Sequence, residues 1–368
     1  MSTITLLSPI SFPARLGFGL ACIIGFVQVA TAKPQTNKVN HLDELKAAIV
    51  ANKYPKLTGL LVSRDGRLIS EAYFGEGGAE KLNDTRSVSK SLTALVVGRA
   101  IRDGKIANVD VPIQSFFPDL QPTTNREPIK SNVLLKDLLT MSSALAADDS
   151  DGSSPGNEDR MHEQTNWLRW AIDLPIRVDY QRIGSGYGPF HYATVNAFLA
   201  GQVIQRAVQK PVSAYIAETL FKPLGITQYK FGKSPSGEIM TGGGLELRLL
   251  DLWRLGQLVL DEGRYQNQQI IPASWVKDCL TVHLKDTVGP GIGYGNLFWH
   301  FDFPAGEKTE SGWFMAGNGG NVVLILPALK AVVVITRTDY NAPSTAKETI
   351  GIVSKFILPF LQNLNSPH

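Results

Sequence analysis

The sequence predicts an α/β fold of the α+β kind. One antiparallel sheet is built from both ends of the chain and flanked by helices, with a mostly helical region inserted between its halves. Two observations predict this arrangement. Runs typical of strands occur near both ends of the 368 residues, and runs with helical periodicity dominate between them. We place the sheet region at about residues 41–85 and 290–368, and the helical region at about 86–289.

The strand predictions rest on pairs of β-prone runs. Residues 60–64 and 68–74 flank Asp65-Gly66, a dipeptide that favours a tight hairpin turn. Near the other end, residues 322–326 and 331–336 are almost wholly apolar and largely β-branched. We expect these four runs to be strands.

Helices are predicted before, between and after the strands. One begins near His41, and a last one covers about residues 344–364. Between them, helical periodicity occurs in four segments: Leu92–Ile101, Leu134–Met141, Ala193–Val208 and Leu245–Leu260. The acidic stretch Asp148–Asp159 is interpreted as a solvated loop. A calcium-binding loop is the weaker alternative, because the ligand spacing of an EF-hand is missing.

The first 32 residues have the pattern of an export signal. Arg15 is their only charged side chain, an apolar run covers Leu16–Val29, and the small-residue ending Ala30-Thr31-Ala32 follows. The run is shorter than the roughly 20 residues that cross a bilayer. We expect cleavage after Ala32, a domain over residues 33–368, and a secreted or periplasmic protein without a stable membrane span. An uncleaved N-terminal anchor is the alternative.

Composition argues against several functional classes. With 36 Lys and Arg against 33 Asp and Glu, the net charge of +3 lacks the one-sided basic field of a nucleic-acid-binding protein. Two cysteines, Cys22 and Cys279, are too few for a disulfide scaffold or a cysteine-rich zinc site. The six histidines have no zinc-binding spacing, and no P-loop or G-x-G-x-x-G motif follows a strand. We expect no metal, no cofactor and no nucleic-acid partner.

The chemistry is predicted by the S-x-x-K motif. On a helix, residues i and i+3 share a face, so a serine hydroxyl can meet a lysine amine. A serine is a poor nucleophile until a base takes its proton, and a lysine can do so only when neutral. We therefore expect a lysine pKa lowered by burial or by nearby positive charge. The motif begins at three positions: Ser87, Ser274 and Ser344.

Context distinguishes the three occurrences. Ser274 and Ser344 lie close after prolines at predicted helix starts, where serine is an ordinary N-cap residue and the lysine can be solvated. Ser87 comes just before a strongly apolar helix, with Lys90 one turn inside it. The sequence therefore favours Ser87 as the nucleophile. The alternative for Ser87 is a further N-cap serine.

Further motifs follow Ser87-Val88-Ser89-Lys90 in order. They are Asp137–Ser143, Phe190–Asn196, Phe221–Gly225, Gly242–Leu245 and Gly317–Asn321. Together they resemble the class C-type serine β-lactamase superfamily, which includes β-lactamases, D,D-peptidases, carboxylesterases and 6-aminohexanoate-dimer hydrolases. The resemblance covers about residue 40 to the C terminus and implies a β-lactamase/transpeptidase-like fold.

The resemblance also implies acyl transfer in two steps. Ser87 would attack a carbonyl, with Lys90 and the phenol of Tyr192 sharing the proton transfer. The alternative for Tyr192 is a buried ring whose hydroxyl caps a loop. Backbone N–H groups of Ser87 and of the segment Asn318-Gly319-Gly320, on an edge strand, would hold the oxyanion. Asn318 is the preferred second donor, with a register open by one or two residues.

The substrate class follows from a departure from the family pattern. β-Lactamases and D,D-peptidases of this superfamily carry Lys-Thr-Gly on that strand, and its lysine helps bind a substrate carboxylate. Here the corresponding Asn318-Gly319-Gly320 has no cation, so a charge-assisted contact is missing. We expect a serine hydrolase for a small ester or amide, with a β-lactamase or D,D-peptidase as the alternative. The alternative of another class is a non-catalytic cell-wall or ligand-binding module. Candidates for lining an apolar acyl site, or for packing, are Trp167, Trp170, Trp299 and Trp313.

Overall fold

The computed structural model describes residues 40–364, apart from residues 179, 183, 185, 306 and 307. The predicted signal segment 1–32 and its alternative, an N-terminal anchor, lie outside the described residues. Within the described range, no helix has the length and apolar character needed to cross a membrane.

A seven-stranded antiparallel sheet organises the described residues. The strands, including short ones outside this sheet, are β1 (Leu57–Arg64), β2 (Arg67–Tyr73), β3 (Asn83–Asp84), β4 (Lys230–Phe231), β5 (Leu245–Leu247), β6 (Arg264–Tyr265), β7 (Gln268–Gln269), β8 (Ile292–Tyr294), β9 (Trp299–Ala305), β10 (Lys308–Gly317), β11 (Asn321–Leu326) and β12 (Ala331–Arg337). The order in the seven-stranded sheet is β2-β1-β12-β11-β10-β9-β8.

Helices fill the region between the two halves of the sheet and flank it at both ends of the described chain. The α-helices are α1 (His41–Val50), α2 (Val88–Arg102), α3 (Leu135–Leu139), α4 (Glu158–His162), α5 (Trp167–Asp173), α6 (Thr194–Val208), α7 (Val212–Ile216), α8 (Leu249–Leu260), α9 (Ala273–Cys279), α10 (Thr345–Ile352) and α11 (Leu358–Asn363). Short 3₁₀ segments cover Ile113–Phe116 and Pro128–Asn132, and π-helical turns cover Ala217–Phe221 and Val353–Ile357.

The predicted fold class is confirmed, because strands from the two chain ends pair directly. β1 lies between β2 and β12, with Leu60 opposite Ile335. In the turn between β1 and β2, Asp65 has φ 49° and Gly66 has φ 72°. A two-residue hairpin turn with both central residues left-handed is the type that Asp-Gly favours, and its twist matches that of the strands.

Two sequence predictions about elements are wrong. The helix predicted over 245–260 begins only at Leu249, because Leu245 and Leu247 are buried on either side of the less buried Glu246, a period of two, and pair as strand β5. β10 is not an edge strand, since it lies between β9 and β11. However, β9 begins at Trp299, opposite Phe314, so residues 315–317 extend past β9 and pair only with β11.

Each face of the sheet is covered by its own apolar core. Helices α2, α6 and α8 contribute to the larger core, and α8 packs on β11 and β12. Helix α1 and the C-terminal helices form the smaller core on the other face. The larger core places the start of α2 against the end of β10: a Cβ added to Gly317 would lie only 2.2 Å from Thr85 O. The candidate site lies at this junction.

Candidate active site

Ser87 occupies the N-cap position of α2 and is half-buried. Its side chain makes no capping hydrogen bond, so the hydroxyl does not serve the helix end. The preceding residue, Arg86, has φ 50°, an uncommon left-handed conformation for a residue with a long side chain. The Ser87 hydroxyl oxygen instead accepts a hydrogen bond from Lys90 Nζ.

Lys90 is 1% exposed and makes three hydrogen bonds through its Nζ atom. It donates to Ser87 Oγ at 2.8 Å, to Thr194 Oγ1 at 2.8 Å and to the backbone oxygen of Gly242 at 2.7 Å. An ammonium group has three donors and no acceptor, so a charged Lys90 uses all of its protons in these bonds.

The expectation of a lowered pKa for this lysine is wrong. Burial lowers the pKa of Lys90, but the charges of Tyr192, Glu158 and Asp149 together raise it more, and the net direction is upward. The lowering effect of burial, on which the expectation rested, is outweighed by these neighbours, which come from other segments of the chain. A charged Lys90 donates to Ser87 and has no lone pair with which to accept the serine proton.

Asp149 stands behind Lys90 in a chain of hydrogen bonds. Thr194 donates to Asp149 Oδ2 through its Oγ1 at 2.8 Å and through its backbone N–H at 2.7 Å. The backbone N–H of Glu158 donates to Asp149 Oδ1 at 3.0 Å. Burial raises the pKa of Asp149, Lys90 lowers it, and the net direction is upward. The chain Ser87–Lys90–Thr194–Asp149 therefore extends from the hydroxyl into the protein.

Glu158 carries the second carboxylate near Lys90. Burial raises the pKa of Glu158, but hydrogen bonding to His162 and the charge of Lys90 lower it, and the net direction is downward. Both carboxylates come from the acidic stretch that the sequence analysis interpreted as a solvated loop, and for Asp149 and Glu158 that interpretation is wrong. No spacing in the sequence marks them, because the loop meets Lys90 only through the tertiary fold.

Tyr192 lies just before α6 and faces the same lysine. Its ring centroid is 5.0 Å from Lys90 Nζ, and Tyr192 raises the pKa of Lys90. The ring stacks on Trp299, with centroids 5.5 Å apart and planes inclined by 28°. The structure thus brings Ser87, Lys90 and Tyr192 together, although the tyrosine is about a hundred residues from the other two in the chain.

Asn318 is the first residue after β10 and lines the same cleft as Ser87. Its side chain is held by Asn341: Asn318 Nδ2 donates to Asn341 Oδ1 at 2.7 Å, and the backbone N–H of Asn341 donates to Asn318 Oδ1 at 2.6 Å. Within the described residues, the backbone N–H groups of Ser87 and Asn318 donate no hydrogen bond. Both groups are therefore unengaged donors at the cleft.

Gly319 and Gly320 have another environment. They form the turn between β10 and β11 with φ 85° and 82°, values that favour glycine. A Cβ on Gly319 would lie 2.9 Å from the Tyr340 ring, and one on Gly320 would lie 2.6 Å from Thr349 Oγ1. Neither glycine lines the cleft. Of these three predicted positions, Asn318 is the one that lines the cleft.

The cleft has a volume of about 290 Å³ and carries charges of both signs. Its lining residues are Arg86, Ser87, Glu158, Asp159, His162, Trp167, Gly232, Lys233, Met240, Gly243, Gly244, Asn318 and Asn341. Of the four candidate tryptophans, Trp167 is in this set, and Trp299 contributes indirectly by stacking on Tyr192. Over the described ranges, no group of three or more His, Cys, Asp or Glu side chains is arranged to hold a metal ion.

The other two S-x-x-K serines lie on the surface. Ser274 and Lys277 are exposed in α9, and Ser344 and Lys347 are exposed at the start of α10. The Ser344 hydroxyl donates to the carboxylate of Glu348 at 2.9 Å. Neither serine has a buried lysine beside it.

Comparisons with known proteins agree with this fold. Residues 56–354 match the sequence profile of the family described as Beta-lactamase. A 6-aminohexanoate-dimer hydrolase of Paenarthrobacter ureafaciens is 24% identical over 276 residues, which are 71% of this chain and 65% of that protein. The chain thus spans just under two thirds of the length of this curated relative.

Solved structures show the same likeness at lower identity. A protein of Bacillus anthracis, provisionally named a 6-aminohexanoate-dimer hydrolase, superposes with a TM-score of 0.71 at 18% identity, covering 87% of this chain and 82% of that one. EstCE1, described as a hydrolase with promiscuous acyltransferase activity, gives 0.67 at 15% identity, covering 86% and 97%. These likenesses confirm the predicted β-lactamase/transpeptidase-like fold.

Proposed function

The chain belongs to the β-lactamase family of hydrolases, and from that premise we propose that it is a serine hydrolase that cleaves a small ester or amide through an acyl-enzyme on Ser87. The observation that carries the proposal is the 2.8 Å hydrogen bond between Lys90 Nζ and Ser87 Oγ at the rim of an open cleft. The buried lysine polarises the Ser87 hydroxyl, whereas Ser274 and Ser344 have no buried lysine beside them.

In the first step, Ser87 Oγ attacks the carbonyl carbon of the substrate. Because Lys90 is held as an ammonium, we assign the role of base to Tyr192: in the proposed reacting form, its phenolate oxygen takes the serine proton. Lys90 stabilises the negative charge as it moves from the phenol oxygen to Ser87 Oγ and then to the oxyanion. The N–H groups of Ser87 and Asn318 are the proposed oxyanion donors.

The tetrahedral intermediate collapses when the bond to the leaving alcohol or amine breaks. Tyr192 gives its proton to that leaving group, and the acyl group stays on Ser87 as an ester. Water then attacks this ester, Tyr192 takes a proton from the water, and the acid product leaves as the proton returns to Ser87 Oγ. The protein ends each cycle in its starting protonation state.

A narrower candidate is a linear amide whose acyl portion carries an amino group. Glu158 and Asp159 line the cleft and supply the negative charge that such a cation would need. The relative named as a 6-aminohexanoate-dimer hydrolase agrees with this choice. A β-lactamase or D,D-peptidase remains the alternative within the family.

Covalent labelling with a fluorophosphonate probe tests the proposal. We expect the folded protein to be labelled, Ser87→Ala to lose labelling, and Ser274→Ala and Ser344→Ala to keep it, because the latter two serines lack a buried lysine. If the folded protein takes no label, the non-catalytic module is the better account. If it turns over a chromogenic cephalosporin faster than short-chain aryl esters, the β-lactamase alternative is favoured.

A further inference from the structure

We propose that Arg86 forms a subsite for a carboxylate group of the substrate, at the wall of the cleft beside the nucleophile. The proposal rests on the proposed function, because it concerns what the Ser87 hydrolase prefers to cleave. The segment Asn318-Gly319-Gly320 lacks the lysine with which β-lactamases of this superfamily bind a carboxylate, and Arg86 would supply a cation in the same cleft.

The Arg86 side chain is held in one orientation by contacts on two sides. Its guanidinium carbon lies 4.1 Å from the centroid of the Tyr340 ring. On the other side, Arg86 Nε is 3.1 Å from Asp84 Oδ2, and the backbone N–H of Arg86 donates to Asp84 Oδ1 at 3.0 Å. The hydrogen bond from the Arg86 N–H to the Asp84 carboxylate therefore helps to hold the left-handed backbone at Arg86. A guanidinium fixed in this way loses little freedom when it binds a ligand.

The end of the same guanidinium is available. The Arg86 side chain is 43% exposed and lines the cleft together with Ser87 and Asn318. Asp84 approaches Nε, and the Tyr340 phenol is a hydrogen-bond partner of the Arg86 side chain. A guanidinium has five N–H donors, so donors remain for a ligand. Two parallel N–H groups on a planar cation match the two oxygens of a carboxylate, which is the geometry that makes such contacts strong.

The combined charge of the cleft residues would not by itself favour a substrate carboxylate. Glu158 and Asp159 line the cleft as well, so the field over its volume is not one-sidedly positive. A carboxylate would gain from direct contact with Arg86 and little from distant attraction. The second cation of the cleft, Lys233, has an exposed side chain and provides a matched control for a general effect of charge.

Matched ester pairs test the subsite. One pair places the charge in the acyl part (4-nitrophenyl hydrogen glutarate against its methyl ester), and the other places it in the leaving group (4-carboxyphenyl butyrate against its methyl ester). For each pair, the preference is kcat/KM for the charged ester divided by kcat/KM for the neutral one. We expect Arg86→Asn to lower the preference in at least one pair about tenfold, the loss of one charge-assisted contact.

Two variants control for charge and fold. Arg86→Lys keeps the cation and should retain more of the preference than Arg86→Asn, and Lys233→Gln should change it by less than about twofold. Asparagine is chosen because it adopts φ values near +50° more readily than most residues. If Arg86→Asn does not fold, protection of Ser87 from fluorophosphonate labelling by glutarate, compared with glutaramide, gives the answer in the unmodified protein.

These outcomes distinguish a failure of the proposed Arg86 subsite from a failure of the proposed hydrolase activity. An unchanged preference in both pairs, or an equal loss in Lys233→Gln, overturns the subsite while ester cleavage still supports the hydrolase. Equal protection by glutarate and glutaramide overturns it in the same way. If no ester is cleaved and no label enters, the proposed function fails, and the subsite fails with it.

Discussion

Lys90 shows how strongly one side chain depends on its surroundings. Its position one turn after Ser87 is a property of the sequence, but its charge is decided by Tyr192, Glu158 and Asp149, which reach it from other segments. Burial by itself would favour the neutral amine. The anionic neighbours reverse that direction, so the proposed mechanism assigns proton transfer to the phenol and charge stabilisation to the lysine.

Asp149→Asn should move the alkaline loss of activity to lower pH. The mechanism needs Lys90 as an ammonium, and the negative charge of Asp149 helps to raise the lysine pKa. Removing that charge lowers the pKa of Lys90, so the ammonium is lost at lower pH, while the asparagine oxygen can still accept from Thr194. The rate of Ser87 labelling, measured across the alkaline range, checks this.

Asp151→Asn is the matched control for this prediction. Asp151 belongs to the same loop and accepts hydrogen bonds from the backbone N–H and hydroxyl of Ser153 rather than from the site. Its pH profile should coincide with that of the unmodified protein. A profile of Asp149→Asn that also coincides would mean that Asp149 does not influence the charge of Lys90.

At the scale of elements, α2 packs closely against α9. The ring of Trp275, from α9, packs against Gly98, where an added Cβ would lie 1.9 Å from its Cδ1 atom. Trp275 Nε1 also donates to the backbone oxygen of Ala94 at 2.9 Å. Because Ser87 and Lys90 are carried by α2, this contact helps to fix where the nucleophile stands.

Gly98→Ala should destabilise the protein by about 1–3 kcal/mol, the usual cost of overpacking a core. Gly351→Ala in α10 is the opposite case, since nothing lies within 4 Å of the added Cβ. There we expect a gain of about 0.5–1 kcal/mol from the better helix propensity of alanine. Denaturant unfolding measures both changes. A Gly98→Ala variant as stable as the unmodified protein would show that Trp275 can move away from α2 without a cost in stability.

At the scale of the whole molecule, the sheet joins strands from both ends of the described chain, and the C-terminal helices form part of the smaller core. Leu361 in α11 is fully buried, and its backbone oxygen accepts a hydrogen bond from Arg64 Nη1 of β1 at 2.9 Å. Leu364, one turn later, is 48% exposed. The last helix is therefore part of the folded unit, with a sharp change in burial near its end.

Leu361→Ala should cost about 2–5 kcal/mol of unfolding free energy, and Leu364→Ala less than about 0.5 kcal/mol. Leucine and alanine are both good helix formers, so the difference between the two variants reports packing. Thermal or denaturant unfolding followed by circular dichroism checks this. Equal effects would indicate that α11 does not pack into the smaller core.

Local patterns in the sequence predicted much of this architecture. Strand and helix periodicities and the Asp-Gly turn indicated the fold class, because each depends on neighbours a few residues away. The run of motifs after Ser87 contributed differently, through a resemblance to a known family that implied its fold. The start of α8 was misplaced for the same reason. Leu245 to Leu247 suit a helix or a strand by composition, and only pairing with β3 and β4 decides between them.

The sequence by itself determined that Ser87 and Lys90 share one turn of a helix, because backbone geometry fixes that distance. Only the tertiary structure decided what surrounds them: the Tyr192 phenol, the carboxylates of Asp149 and Glu158, and the Arg86 side chain held at the cleft wall. Their effects act through space over a few ångströms, and positions along the chain do not reveal which charges meet.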